Sequence, residues 1–242
     1  MRGARPTDPS SVVASRRHAL PQGDKEGTAT RALRAAERTR QAILAAATAE
    51  FAEHGLAGAR VDRIAEVSGA NKRMIYYYFR SKDDLYLAVL EAAYTAMRES
   101  ERVLRFDGLE PRDALRALVE FKFDFWVENP HLISLLNGEN MMGAQHLKRS
   151  TRLKEMHISL VRTIGAILDA GVANGTIRAG VDPLQLYISM SGLSYFFFSN
   201  GPTLSTAFGR QLRSAAARKA RRAHVVDVIM GYLAPLRRPS IA

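Results

Sequence analysis

From Glu37 onward, apolar residues return every three or four positions, the spacing that lines one face of an α-helix. Ile43, Leu44, Ala47 and Phe51 form the first such face, and His54-Gly55 ends it, with Gly55 suited to a left-handed position just past a helix. Val61, Ile64, Ala65 and Val67 mark a second, short helix. Ser68-Gly69-Ala70-Asn71 reads as a turn whose last residue caps a third helix, Lys72 to Phe79, with Ile75 and Phe79 inward. Ser81 followed by Asp84 is a capping-box variant with Asp in place of Glu or Gln. It opens a long helix through Leu85, Leu87, Val89 and Leu90 toward Leu104.

The same period continues. Pro111 starts a helix through Leu115, Leu118, Phe121, Phe125 and Trp126, and Asn129-Pro130 breaks it and starts another. A long helix is expected from about Lys148 to Asn174, stopped by Gly175. Asp182-Pro183-Leu184-Gln185 combines a cap, a first-turn proline and a third-position Gln. The helix it starts carries Leu186, Met190, Leu193 and Phe197, and a last helix holds Val225, Val228, Ile229, Tyr232 and Leu233. No alternating strand or hairpin turn is found, so the expected fold class is all-α. Three segments are expected: a disordered basic arm over 1–36, a helix-turn-helix domain over 37–82, and a larger helical domain over 83–242.

Composition narrows the functions. There is no cysteine, which removes disulfides, thiol nucleophiles and Cys-based zinc sites. The six histidines show no metal-binding spacing, so neither a metal nor another cofactor is expected. No P-loop, Gly-x-Gly-x-x-Gly or Gly-x-Ser-x-Gly occurs, and an enzyme is not expected. The best candidate membrane segment, Leu184 to Phe198, is too short and is interrupted by polar residues, so no membrane partner is expected. An apolar secretory segment is lacking, so export is not expected and a cytoplasmic location is. A net charge of +11 and a pI near 10.2 suit a polyanionic partner. Within 1–36, Arg2, Arg5, Arg16, Arg17, Lys25, Arg31 and Arg34 could track phosphates, or the arm is a solvated tail. The cluster Arg210, Arg213, Arg218, Lys219, Arg221 and Arg222 reads as a solvated helix face.

Helices ordered long, short, short, with a tight turn before the third, describe a helix-turn-helix. Its second paired helix enters the major groove, about 12 Å wide. The outward face here offers Lys72, Arg73, Tyr76 and Tyr77. Successive helical residues differ by about 100°, so the run Tyr76-Tyr77-Tyr78-Phe79 cannot all face inward. Arg73 can fork onto the guanine edge, and Lys82, near the next helix's N-terminus, can hold a phosphate.

Gly55, Ile64-Ala65, Ser68-Gly69-Ala70-Asn71, Ile75-Tyr76-Tyr77-Tyr78-Phe79 and Ser81-Lys82-Asp83-Asp84-Leu85 follow one another without a gap. In that order they resemble the DNA-binding domain of the TetR family of bacterial regulators over residues 38–90. The resemblance implies DNA contacts by Arg60, Lys72, Arg73, Met74, Tyr76, Tyr77 and Lys82, with Phe79 in the core and Tyr78 partly so. Two departures stand out. The family's threonine pair is Ala59-Arg60 here, so a threonine cap or phosphate contact is lost and Arg60 stands in its place. Arg73-Met74 replaces a small residue, so the operator of a relative does not transfer.

The resemblance also implies a homodimer joined through a four-helix bundle of helices near 182–199 and 213–234. Leu186, Met190, Leu193, Phe197, Val225, Val228, Ile229 and Tyr232 would form the interface over a near-palindromic duplex operator. It implies a small-molecule effector as well, for which Phe121, Phe125, Trp126, Leu135, Glu139, Asn140, His157 and Tyr195 are the candidate lining. Two functions follow as expectations: a repressor released from its operator by a ligand, or a ligand-independent architectural or division-linked DNA-binding protein.

Overall fold

A computed structural model describes residues 23–104, 106 and 108–235, and among them it contains helices and no strand. Ten α-helices follow in order: α1 (Gly23–Gly58), α2 (Val61–Ser68), α3 (Lys72–Phe79), α4 (Lys82–Val103), α5 (Pro111–Glu128), α6 (Pro130–Met141), α7 (Thr151–Ala173), α8 (Pro183–Ser199), α9 (Gly201–Ala207) and α10 (Ala215–Leu233). A single 3-10 turn, Leu147–Arg149, precedes α7.

Most ends are set by local chemistry. Asn71, Ser81, Ser150, Asp182 and Ser214 each accept a hydrogen bond from a first-turn backbone N–H, which satisfies a donor the helix itself cannot. Ser150 therefore starts α7 at Thr151, and Lys148 falls in the 3-10 turn rather than in the helix. Gly55 at φ 66° interrupts α1 before its last turn, and Gly69 at φ 68° closes α2. Both are backbone conformations a Cβ disfavours.

Two expectations change. Residues 23–36, expected to be disordered, are helical, because Ala32, Ala35 and Ala36 propagate α1 backward without needing a buried face. Residues 1–22 of that arm, with Arg2, Arg5, Arg16 and Arg17, lie outside the described residues. Among the described residues, α7 is the helix long and apolar enough by composition to cross a bilayer, although the sequence predicts no such segment. Arg162 and Asp169 lie within it, and it buries Leu160, Ile164 and Leu168 in a shared core with α5, α8 and α10. We read it as a wall of the helical domain.

The core falls into two clusters. The first joins Ile43, Ala47, Phe51, Ile64, Ile75 and Phe79 to Leu85, Tyr86, Val89 and Leu90 on α4, and on to Phe125, Trp126, Leu132 and Leu135 on α5 and α6. Packing is thus continuous across the expected boundary between residues 82 and 83. The second cluster packs α5, α7, α8 and α10 around Leu118, Phe123, Ile164, Met190, Val225 and Ile229.

Candidate nucleic-acid interface

The geometry of α3 begins with its cap. Asn71 Oδ1 accepts from Met74 N at 2.9 Å, which fixes the helix start just after the glycine turn. Ile75 and Phe79 are buried, and this sets the rotation of the helix. Lys72, Arg73, Tyr76 and Tyr77 are consequently exposed, Tyr77 at 81%. An aromatic side chain this exposed gains little from its own core. Tyr77 also stacks edge-on against the half-buried Tyr78, with centroids 5.3 Å apart, which stiffens the pair. Arg73 has no hydrogen bond or ion pair among the described residues, so its five donors are available. Met74 departs from expectation: it is half-buried against the first core cluster and wedges α3 in place.

The other cations are held at the rim. Lys72 pairs with Asp62 on α2. Both are exposed, so the pair is weak and a phosphate can compete for the ammonium. Lys82 Nζ donates to the carbonyl of Ala57 at 3.4 Å, bridging the end of α1 to the start of α4. Arg60 is exposed, and its backbone N–H donates to Glu50 Oε1 at 2.9 Å. Glu50 is buried to 7% exposure and lies 3.6 Å from Arg63 Nε. A carboxylate from α1 thus caps α2, which has no side-chain cap of its own.

Arg80 was not anticipated. It closes α3 at φ 59°, its N–H donates to Tyr76 O at 2.8 Å, and its side chain is exposed. A long cationic residue in a conformation that favours glycine is a local strain, and such strain often marks a working position.

The start of α4 ties this head to the rest. Ser81 Oγ accepts from Asp84 N at 3.0 Å and donates to Asp84 Oδ2 at 2.8 Å. Asp is one methylene shorter than Glu, so its carboxylate takes the hydroxyl while Ser81 N donates to Phe79 O instead. The hydrogen bond from Ser81, then that from Arg149, holds the Asp84 carboxyl below the usual carboxylate range. Arg149 also pairs with Asp84, joining the 3-10 turn to α4. Behind it, Glu139 is fully buried and accepts from His146 N (2.8 Å), Leu147 N (3.0 Å) and the His146 ring Nδ1 (2.9 Å). Tyr86 meets the His146 ring edge-on at 5.0 Å and Phe51 at 5.1 Å, and its hydroxyl donates to Leu135 O.

The expected effector lining is placed differently. Phe125, Trp126, Leu135 and Glu139 are buried in packed core, because Glu139 has all its partners within the chain. Asn140 is exposed, and Phe121 is half-buried. The Tyr195 hydroxyl donates to Asn137 Oδ1 at 2.6 Å, while the side chain of His157 lies outside what the structure describes. Trp126 borders a separate cleft of about 390 Å³. A larger recess of about 740 Å³ opens between α4 and α7, with Arg98 and Glu101 on one wall and Ser159, Leu160 and Thr163 on the other. The expected interface residues are also redistributed. Leu186, Met190, Phe197, Val225 and Ile229 are buried within one chain and leave no surface for another, and Leu193 is half-buried. Val228 and Tyr232 are exposed, as are Leu184, Ile188 and Phe196, which share the outer face of α8.

Known proteins match along this architecture. Residues 43–89 match a family profile described as bacterial regulatory proteins, tetR family, and residues 111–229 match one described as tetracyclin repressor-like, C-terminal domain. The transcriptional repressor NicS of Pseudomonas putida is 36% identical over 76% of this chain and 86% of its own length. The transcriptional repressor SCO4008 of Streptomyces coelicolor is 34% identical over 66% of this chain and 80% of its own. Among solved structures, the transcriptional regulator SCO4942 of Streptomyces coelicolor superposes with a TM-score of 0.62 at 28% identity, covering 81% of this chain and 98% of that one. These families and relatives are regulators rather than enzymes. The chain belongs to the TetR family and is a DNA-binding transcriptional regulator.

Proposed function

We propose that the chain is a repressor that binds a near-palindromic duplex operator as a homodimer and leaves it when a small effector occupies the recess between α4 and α7. The observation that carries the DNA reading is the outer face of α3, where Arg73, Tyr76 and Tyr77 stand exposed on a helix whose rotation the core fixes. Arg73 reads a base edge. Lys72, Lys82, Arg60 and Arg80 lie around it and contact phosphates. Repression is supported by the names of the two relatives, both transcriptional repressors.

The homodimer is supported by the apolar outer faces of α8 and α10, where Leu184, Ile188, Phe196, Val228 and Tyr232 are each exposed by 41% or more. Two copies would bury these faces in a four-helix bundle. The two recognition helices would then stand about 34–36 Å apart, one turn of the duplex. Effector release is supported by α4, which runs from Lys82 beside α3 to Glu101 in the recess wall, so one element touches both sites. A ligand that fits one setting of α4 better than another shifts the DNA-binding equilibrium by that difference. A regulator of this kind works in the bacterial cytoplasm, at the nucleoid.

The test is selection of binding sites from random duplex DNA with the purified chain at two salt concentrations, together with its mass in solution by light scattering. An enriched inverted repeat bound by a dimer supports the reading. A monomer, or binding without enrichment that disappears in salt, overturns it.

A further inference from the structure

The recess has a chemical preference at its inner end. Arg98 and Glu101 from α4 line it and are buried, at 7% and 6% exposure, and Lys122 from α5, at 5%, stands behind Glu101. Two cations and one anion leave this cluster with a net positive charge away from water, which is costly unless something compensates it. The hydrogen-bond inventory is equally one-sided. Both oxygens of Glu101 are occupied, Oε2 by Arg98 Nη1 and Oε1 by Lys122 Nζ. Arg98 Nη2 donates to the Tyr187 hydroxyl at 3.3 Å, but buried Arg98 Nε has no partner among the described residues. Lys122 Nζ stands 4.6 Å from the centre of the Tyr187 ring and makes one hydrogen bond there, so donors remain on it too. Buried donors as a rule find acceptors, and among the described residues none reaches Arg98 Nε.

Among the described residues, the remaining charges of the recess do not cancel this. Glu99, Glu155 and Arg152 line it as well, but all three are exposed and water screens them. Leu104, Phe106 and Leu160 give the walls an apolar part. A volume of about 740 Å³ is in the range for a small organic molecule.

We infer that this recess takes a small organic acid, whose carboxylate is received by the Arg98 guanidinium, with the charge of Lys122 behind Glu101 favouring it, and whose apolar body lies toward Leu160 and Phe106. The identity of the recess as the effector site rests on the function proposed above, while the preference for an anion does not. The carboxylate completes the inner cluster by bringing the one acceptor group and the one negative charge it lacks. Charge-assisted hydrogen bonds of this kind are about twice as strong as neutral ones, so an acid is distinguished from its isosteric amide.

The experiment compares benzoate, phenylacetate and hexanoate, each against its primary amide. Binding to the full chain without DNA is followed by the shift in melting temperature and by calorimetry. At least one acid is expected to bind about tenfold more tightly than its amide. In Lys122→Gln that preference is expected to fall toward unity, a ratio that a merely structural lysine would not move. Arg98→Lys, which keeps the charge and removes Nε, is the second variant should Lys122→Gln fail to fold, and it is expected to narrow the same ratio. Amides that match or exceed their acids, or a preference that survives in the variants, overturn the inference. The same acids are then added to the complex with the selected operator. An acid that binds without releasing DNA sinks the inducer reading and leaves the anion site standing. Release by an amide alone does the reverse.

Discussion

At the scale of single residues, the outer face of α3 is a question of which cations are committed elsewhere. Lys72 and Lys82 are engaged with Asp62 and the Ala57 carbonyl, whereas Arg73 is not. Arg73→Ala is expected to cost about 1–3 kcal/mol at the selected operator and to relax base preference at one position of each half-site. Repeating the selection with the variant checks this, and an unchanged motif would remove Arg73 from base reading. Arg80 makes the opposite kind of prediction. Its φ of 59° favours glycine, so Arg80→Gly is expected to raise stability by about 1 kcal/mol while weakening DNA binding. Denaturant midpoints and operator titrations read the two effects separately. A loss of stability would mean that the side chain holds the α3 end in place.

At the scale of elements, the join between head and body has two parts of unequal strength. Arg149 and Asp84 are exposed by 51% and 32%, so water competes for them, and Arg149→Ala is expected to cost less than about 1 kcal/mol. Glu139 is enclosed and receives three donors, so Glu139→Ala leaves all three unpaired and is expected to cost about 3–5 kcal/mol. Thermal unfolding of the two variants distinguishes them, and equal losses would contradict this division. The same contrast explains what was legible in the sequence. Asn71, Ser81 and Asp182 were readable because a cap acts within three residues of itself. Glu50 capping α2 was not, because its partner lies ten residues away across a turn whose path only the packed fold defines. Glu139 is named in the sequence as part of an effector lining, but its partner His146 is brought to it by an irregular loop with no periodicity to read. Lys122 carried a usable signal, a charge next to the buried stripe of Leu118, Phe125 and Trp126 on α5.

At the scale of the whole molecule, burial can be read through the tyrosines. Burial pushes Tyr86, Tyr94 and Tyr195 up to about 12 from an ordinary value of 10.0. For a group whose pKa is higher folded than unfolded, the stabilisation is complete below the unfolded value and is lost as pH rises through the folded one. The molecule is therefore expected to hold its full stability to about pH 10 and to lose it toward about pH 12. A spectrophotometric titration should show these three of the eight tyrosines ionising late, together with the loss of helical signal. Eight phenols titrating as one group near their ordinary value would mean that these interiors admit water. Sequence periodicity located the helices at this scale but not which faces they spend on one another. Leu186, Met190, Phe197, Val225 and Ile229 have the same spacing as an interface, and only their burial in one chain separates them from Ile188, Phe196 and Val228.

The unbroken packing from α3 into α4 also bears on how such regulators could be recombined. A chimaera spliced at residue 82 would set a foreign head against the orphaned inner surfaces of Leu85, Tyr86 and Leu90, whose partners are Phe51 and its neighbours in the native head. Grafting a new sensor onto this reader, or a new reader onto this sensor, therefore calls for a seam inside α4 beyond Leu90. Tyr86 would then travel with the head, and the donor's α6 and its following loop would have to be matched to it.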